Sequence, residues 1–221
     1  MKKTTAAVAG VCLMLLGFGR AIGQTTPTAN EFSASSYRSI QEAIDANPGR
    51  MIHVPAGDYE IADKIRIHAD YSGLCGPGRI IQTKRDAPII EIERASGVQL
   101  RGLTLTRQEA SMDTSTEAVL AIQCHNLVLE SLHVRDNRTR SGAIAIRNCV
   151  GTRIRNCSVL NYMRISIDDR TGSKDWGYAF LCIDGSGIVV TESKGTLIPG
   201  NRVIEQNLLP SPEIPQDWDL G

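Results

Sequence analysis

Residues 90–105 read Ile90-Glu91-Ile92-Glu93-Arg94-Ala95-Ser96-Gly97-Val98-Gln99-Leu100-Arg101-Gly102-Leu103-Thr104-Leu105. Aliphatic side chains occupy alternate positions at Ile90 and Ile92, give way to a polar turn at Ser96-Gly97, and alternate again through Val98, Leu100, Leu103 and Leu105. A period of two marks half-buried strands, and strands this short cannot bury an apolar face without neighbours. The same shape returns at Leu120-x-Ile122, His125-Asn126, Leu127-x-Leu129 and Leu132-x-Val134. It returns again at Ile144-x-Ile146, Val150-Gly151, Ile154 and Cys157-x-Val159, and once more at Leu181-x-Ile183, Gly185-Ser186-Gly187 and Ile188-x-Val190. The matched positions Ile92, Ile122, Ile146 and Ile183 are 30, 24 and 37 residues apart. Short strands at such a period predict a β-solenoid, in which stacking the units makes one continuous core. An antiparallel sandwich would instead join longer alternating strands through two-residue Asn-Gly loops, which this chain does not show.

Upstream of the repeat, Tyr37, Ile40, Ala43 and Ile44 fall on one helical face. Ser39 and Glu42 have capping-box spacing, and Asn47-Pro48-Gly49 stops the helix. The period then changes to two at Ile52 and Val54, with a turn at Pro55-Ala56-Gly57-Asp58. Further upstream, Lys2 and Lys3 precede an apolar run from Ala6 to Phe18, with small residues at Ala21 and Gly23. That pattern predicts a secretory signal peptide over 1–23 and a secreted or periplasmic protein; the run is shorter than the ~20 residues a membrane span needs. Residues 24–36 read as a linker, 37–207 as one domain, and 208–221 as a proline-rich tail or a truncated C-terminus.

Without the signal segment, 21 basic residues face 24 acidic ones, so no global charge attracts nucleic acid or an anionic membrane. Five cysteines remain: Cys75, Cys124, Cys149, Cys157 and Cys182. An odd count without a CxxC argues against a disulfide framework or a zinc site and for small apolar fillers. Oligomeric state is left open by the sequence.

The run Ser39-Ile40-Gln41-Glu42-Ala43-Ile44-Asp45-Ala46, followed by Ile52-His53-Val54-Pro55-Ala56-Gly57-Asp58-Tyr59, resembles the opening of pectate-lyase-like β-helix proteins. Leu74-Cys75-Gly76-Pro77-Gly78 is similar to the glycine-rich turn that follows there, and residues 97–105 and 126–134 match the coil pattern. The resemblance covers roughly residues 37–207. It implies an all-β, right-handed parallel β-helix with an N-terminal amphipathic capping helix, and an activity toward polysaccharide by a lyase or a glycoside hydrolase. Polygalacturonase-like hydrolases use an adjacent aspartate pair, which Asp168-Asp169 resembles, with Asp184 as a third acid. Pectate lyases place an arginine base beside a calcium-holding acid cluster, an arrangement that Arg147, Arg164 or Arg170 near Asp168 and Asp184 could imitate. The chain departs from the hydrolase pattern in having no Asn-Thr-Asp, His-Gly or Arg-Ile-Lys motif. A non-catalytic glycan-binding or scaffold β-helix is therefore the alternative.

Read from the residues themselves, extra segments follow the last apolar pair of each unit, at 107–117, 135–142 and 160–180. Occupying one point of successive coils, they should project side by side and border a groove. The third holds Arg164, Asp168, Asp169, Arg170, Lys174, Asp175, Trp176 and Tyr178 within fifteen positions. Paired carboxylates serve as acid and base or as hard ligands for calcium, and Trp176 or Tyr178 could stack on a sugar ring. The expected catalytic set is thus Asp168, Asp169, Asp184, Arg147 and Arg170, with Arg164, Lys174, Trp176 and Tyr178 as substrate contacts and calcium as the candidate ion. Strand alternation places Glu93, Gln123, Arg147 and Asp184 in one outward column. Residues 128–170 carry eight arginines and four acids, a local excess that suits an acidic polysaccharide. The four histidines are dispersed without metal-ligand spacing, and only His133, alternating outward beside Leu132 and Val134, is a candidate for the groove.

Overall fold

The structure, a computed structural model, describes residues 32–167 and 181–206. The chain winds in coils that each give one strand to each of three parallel sheets. The first coil comprises β1 (Met51–His53), β2 (Asp58–Ile61) and β3 (Ile65–Ile67); the second, β4 (Gly73–Cys75), β5 (Arg79–Gln82) and β6 (Ile90–Glu93). The third has β7 (Gln99–Arg101), β8 (Thr104–Arg107), a short β9 (Asp113–Thr114) and β10 (Val119–Ile122). In the fourth come β11 (Val128–Glu130), β12 (His133–Arg135), a short β13 (Arg138–Thr139) and β14 (Gly142–Arg147). The fifth contains β15 (Arg153–Arg155), β16 (Ser158–Leu160), β17 (Arg164–Ile167), β18 (Leu181–Asp184) and β19 (Ser186–Thr191), and β20 (Arg202–Ile204) follows. Sheet A runs β1-β4-β7-β11-β15, sheet B runs β2-β5-β8-β12-β16-β20, and sheet C runs β3-β6-β10-β14-β19. The expected all-β parallel solenoid is therefore present.

In-register pairing turns the sequence alternation into ladders. Ile52, Leu74, Leu100, Leu129 and Ile154 stack in sheet A, and Ile80, Leu105, Val134 and Val159 in sheet B. Sheet C stacks Ile65, Ile90, Val119 and Ile144 beside Ile67, Ile92, Ala121 and Ile146. All of these are 0–2 % exposed and form one core. Each fully buried Ile or Leu contributes roughly 1.5–3 kcal/mol relative to exposure. Cys124, Cys149 and Cys157 sit in the same core as free thiols, and burial pushes the Cys157 thiol up.

The register corrects two sequence expectations. Ala121, not Ile122, shares the inward column with Ile92 and Ile146. Ile183 belongs to β18, which pairs antiparallel with β17 in a separate hairpin, and Val190 takes the position opposite Ile146.

Turns repeat as faithfully as strands. The A-to-B corner places Gly102, Ser131 and Asn156 at φ of 71°, 52° and 54°. A left-handed backbone costs a residue with a Cβ about 1–2 kcal/mol. Here it aims each N–H at the following coil: Gly102 donates to Glu130 O, Ser131 to Arg155 O and Asn156 to Pro199 O, at 3.0–3.2 Å.

The N-terminal end is closed by α1 (Ile40–Ala46), the one α-helix among the described residues. Ser39 Oγ accepts from Glu42 N–H at 3.1 Å, and Glu42 Oε2 accepts from Arg38 N–H at 2.8 Å, capping the helix from both directions. Ile40, Ala43 and Ile44, at most 4 % exposed, lie on the core as the helical face predicts. The folded body begins earlier than Tyr37. Ser33 bridges His53, Phe32 O accepts from His53 N–H at 2.8 Å, and Ala34 is buried, so residues 32–36 are not a free linker.

Candidate functional site

Between sheets B and C the coils carry their extra residues, and these stack. The insertion strands β9 and β13 pair in parallel, Asp113 with Arg138 and Thr114 with Thr139. Arg138 N–H donates to Met112 O at 2.9 Å, Thr139 N–H to Tyr162 O at 3.1 Å, and Ser186 N–H to Ser141 O at 2.8 Å. The β17–β18 hairpin continues this line at the fifth coil. Successive insertions thus form a wall along one edge of sheet C.

The wall is held by buried polar groups. Arg107, 2 % exposed, donates from Nε to Asn137 Oδ1 at 2.5 Å, from Nη1 to Lys84 O at 2.9 Å, and from Nη2 to Ala87 O and Thr116 Oγ1 at 2.8 Å each. One guanidinium therefore ties together residues of the second, third and fourth coils. Burial lowers its pKa to about 10, with Glu117 and Asp86 working against the drop, so it stays charged at neutral pH. Asn137 Nδ2 donates on to Thr116 O at 3.1 Å, and Gln82, stacked directly on Arg107, donates to Pro88 O at 3.0 Å. Arg138, 3 % exposed, holds the next level through Met163 O at 2.9 Å and lies 3.7 Å from Glu205.

The outer face of sheet C is half apolar. Leu120 and Ala145 point outward yet are buried, and Ile122 is half-buried beside them. Around this patch the charges are paired: Lys64 with Glu91 at 2.6 Å, Arg94 with Glu93 at 3.2 Å, and Arg147 with Glu117 at 2.6 Å. Arg94 also donates to Gln123 Oε1 at 3.0 Å.

Of the expected site residues, Arg147 is the one described on this face. It reaches back along the strands, where Nη2 is also 3.4 Å from Ser141 Oγ. The outward column containing it is Glu93, Ile122, Arg147 and Thr191, so Gln123 and Asp184 do not belong there. Asp184 instead stands opposite Arg164 in the hairpin register. Arg164 is 2 % exposed, a position that suits holding the hairpin base and not meeting a substrate. Asp168, Asp169, Arg170, Lys174, Trp176 and Tyr178 lie outside the described residues. No group of three or more His, Cys, Asp or Glu side chains that could hold a metal ion occurs among the described residues. His133 faces outward from sheet B, where Nδ1 is 2.9 Å from Ser158 Oγ, so it does not line the sheet C face.

The cationic excess of 128–170 is partly absorbed within the fold. Arg155 and Arg101 flank Glu130 at 2.9 and 3.6 Å, Arg147 is committed to Glu117, and Arg138 and Arg164 are buried. Arg135, Arg140 and Arg153 remain exposed.

No family model, no curated protein and no solved structure matches this chain.

Proposed function

We propose that this chain is an exported, right-handed parallel β-helix of the pectate-lyase-like type that binds an acidic polysaccharide along the outer face of sheet C. One observation carries the reading: insertions from successive coils join edge to edge and border a face bearing Ile122 and Arg147. Parallel strands joined by crossovers are right-handed in nearly all proteins, which supports the handedness. A linear polymer lying along the axis would meet equivalent positions every ~4.8 Å, the spacing of adjacent strands. Apolar side chains suit the C–H face of a sugar ring, and an arginine fork suits a uronate carboxylate.

In this reading Asp168, Asp169, Arg170, Asp184 and Arg147 form the catalytic set of a lyase or hydrolase. Lys174, Trp176 and Tyr178 grip the chain, with calcium as the ion the acids would hold. The competing reading is a glycan-binding β-helix without turnover. It is favoured by the Arg147–Glu117 pair and by the lack of an acid cluster among the described residues.

Titration calorimetry with polygalacturonate, alginate and neutral dextran tests binding. Release of unsaturated uronides or reducing ends, with and without calcium, tests turnover. Binding to the two uronans but not to dextran, weakened about tenfold by Arg147→Ala, supports the proposal. Binding that turns over nothing and is indifferent to Asp168→Asn and Asp169→Asn leaves the non-catalytic reading. No affinity for any uronan sinks both.

A further inference from the structure

The described residues finish two of the three sheets at the N-terminal end and leave the third open. In sheet A, His53 N–H donates to Phe32 O at 2.8 Å and Ser33 bridges His53, so β1 has a neighbour on its outer side. In sheet C, the side-chain amide of Gln41 in α1 stands in for a strand. Its Oε1 accepts from Arg66 N–H at 2.7 Å, and its Nε2 donates to Arg66 O at 3.2 Å. In sheet B, β2 pairs with β5 alone among the described residues. Gly57 O and Ile61 O accept from Arg79 N–H and Thr83 N–H at 2.9 Å, so the peptide groups of Asp58 and Glu60 face away from the stack. The inward side chains show the same difference. Ile52, Ile65 and Ile67 begin their ladders at 0–2 % exposed, whereas Tyr59 and Ile61 are only half-buried.

We propose that the β2 edge docks an extended segment of a partner protein in which basic and apolar side chains alternate, an inference independent of the glycan reading. A strand added beside β2 would satisfy the free peptide groups, which is how an open sheet edge binds a peptide. Side chains level with Tyr59 and Ile61 would turn inward and complete their burial, and those level with Asp58 and Glu60 would turn outward. There is room for the inward set. A cleft of about 520 Å³ opens between α1 and the β2–β3 corner, lined by Ile40, Ile61 and Ile65 together with Glu60 and Asp63. Charge decides the sign of the outward set. Asp58, Glu60 and Asp63 are exposed carboxylates; Arg79 is taken by Asp58, and Glu60 and Asp63 enter no ion pair among the described residues. Lys64 is held by Glu91 at 2.6 Å, and Arg66 lies at the β3 edge that Gln41 already fills. Lysine or arginine opposite these carboxylates is the favoured cross-strand pairing.

The probe is a capped synthetic peptide of alternating lysine and valine, added to the full-length protein, with its glutamate–valine counterpart as control. Amide exchange at Asp58 and Glu60, read by NMR, should slow several-fold with the lysine peptide and not with the glutamate peptide. Glu60→Lys with Asp63→Lys should weaken the lysine peptide about tenfold and admit the glutamate peptide. Glu60→Pro removes a donor that faces away from the sheet, so thermal unfolding should stay unchanged while peptide binding is lost. Should Glu60→Pro fail to fold, the charge reversal decides alone. No affinity for the lysine peptide overturns the inference. Binding that leaves both amides unprotected also overturns it, since charge alone then holds the peptide. So does slow exchange at Asp58 and Glu60 in the protein without peptide: the occupant is then residues 24–31 of this chain or, if sedimentation shows a dimer that Glu60→Pro dissolves, a second copy.

Discussion

The two ends of the solenoid meet the same physical problem on unequal terms. At the N-terminal end, α1 lays Ile40, Ala43 and Ile44 on the first coil with no more than 4 % of each exposed, and its own backbone hydrogen bonds are internal. At the other end, Val190, Leu197, Ile198 and Val203 average nearly half exposed among the described residues, above strands with no further neighbour. A solenoid interior is indifferent to how many coils it contains, because each coil meets only the coils beside it. Its termini are not, since there the same ladder residues face water. The helix is the efficient cover because it offers an apolar stripe and no strand edge of its own.

The largest effect should come from damaging the closed end. Ile44→Asp puts a carboxylate under the helix and should cost about 3–5 kcal/mol in urea unfolding, with new dye binding before the main transition. Arg107→Ala spares both ends but leaves Asn137, Lys84 O and Ala87 O without their donor; a loss of about 3 kcal/mol is expected. Hydrogen exchange should rise in 84–88 and 108–117 and not in α1, showing that the flank and the ends fail separately.

Leu197→Asp strikes the other end, at a side chain already 57 % exposed, and should cost below about 1 kcal/mol in urea unfolding. Smallest is Asp58→Asn. The side-chain hydrogen bond from Arg79, aided by its charge, holds the Asp58 carboxyl below its ordinary value of 3.8. The folded state therefore binds this proton less readily than the unfolded chain. The stabilisation is fully present above that range and fades as pH falls through the lowered value. Both groups are exposed, so the acid-limb difference between Asp58→Asn and the parent should vanish in high salt.

Much of this was legible because strands and cap rest on local periodicity. Ile90 to Leu105 states its own in-and-out pattern, and Ser39 with Glu42 states where the helix starts. What failed was register. Val119-Leu120-Ala121-Ile122 is apolar on both faces, so alternation alone cannot say which pair points inward, and a slip of one reverses the column. Leu181-Cys182-Ile183 alternates as convincingly as Ile188-Val189-Val190, yet the first run pairs antiparallel with β17. Alternation names a strand without naming its partner. The buried guanidinium of Arg107 was overlooked because arginines are seldom fully buried. A signal was present all the same: Arg107 follows Leu105 by two positions and shares its inward parity.

The corner residues with left-handed backbones carry one more implication. Gly76, Gly102, Ser131 and Asn156 all send their N–H toward the coil with higher residue numbers, and Arg94, Gln123 and Asn148 do the same at the opposite corner. Every newly formed coil thus presents donors that the carbonyls of its successor accept. A nascent chain emerging N-terminus first meets a surface already prepared to receive the next winding, with the helix-covered base as its starting block.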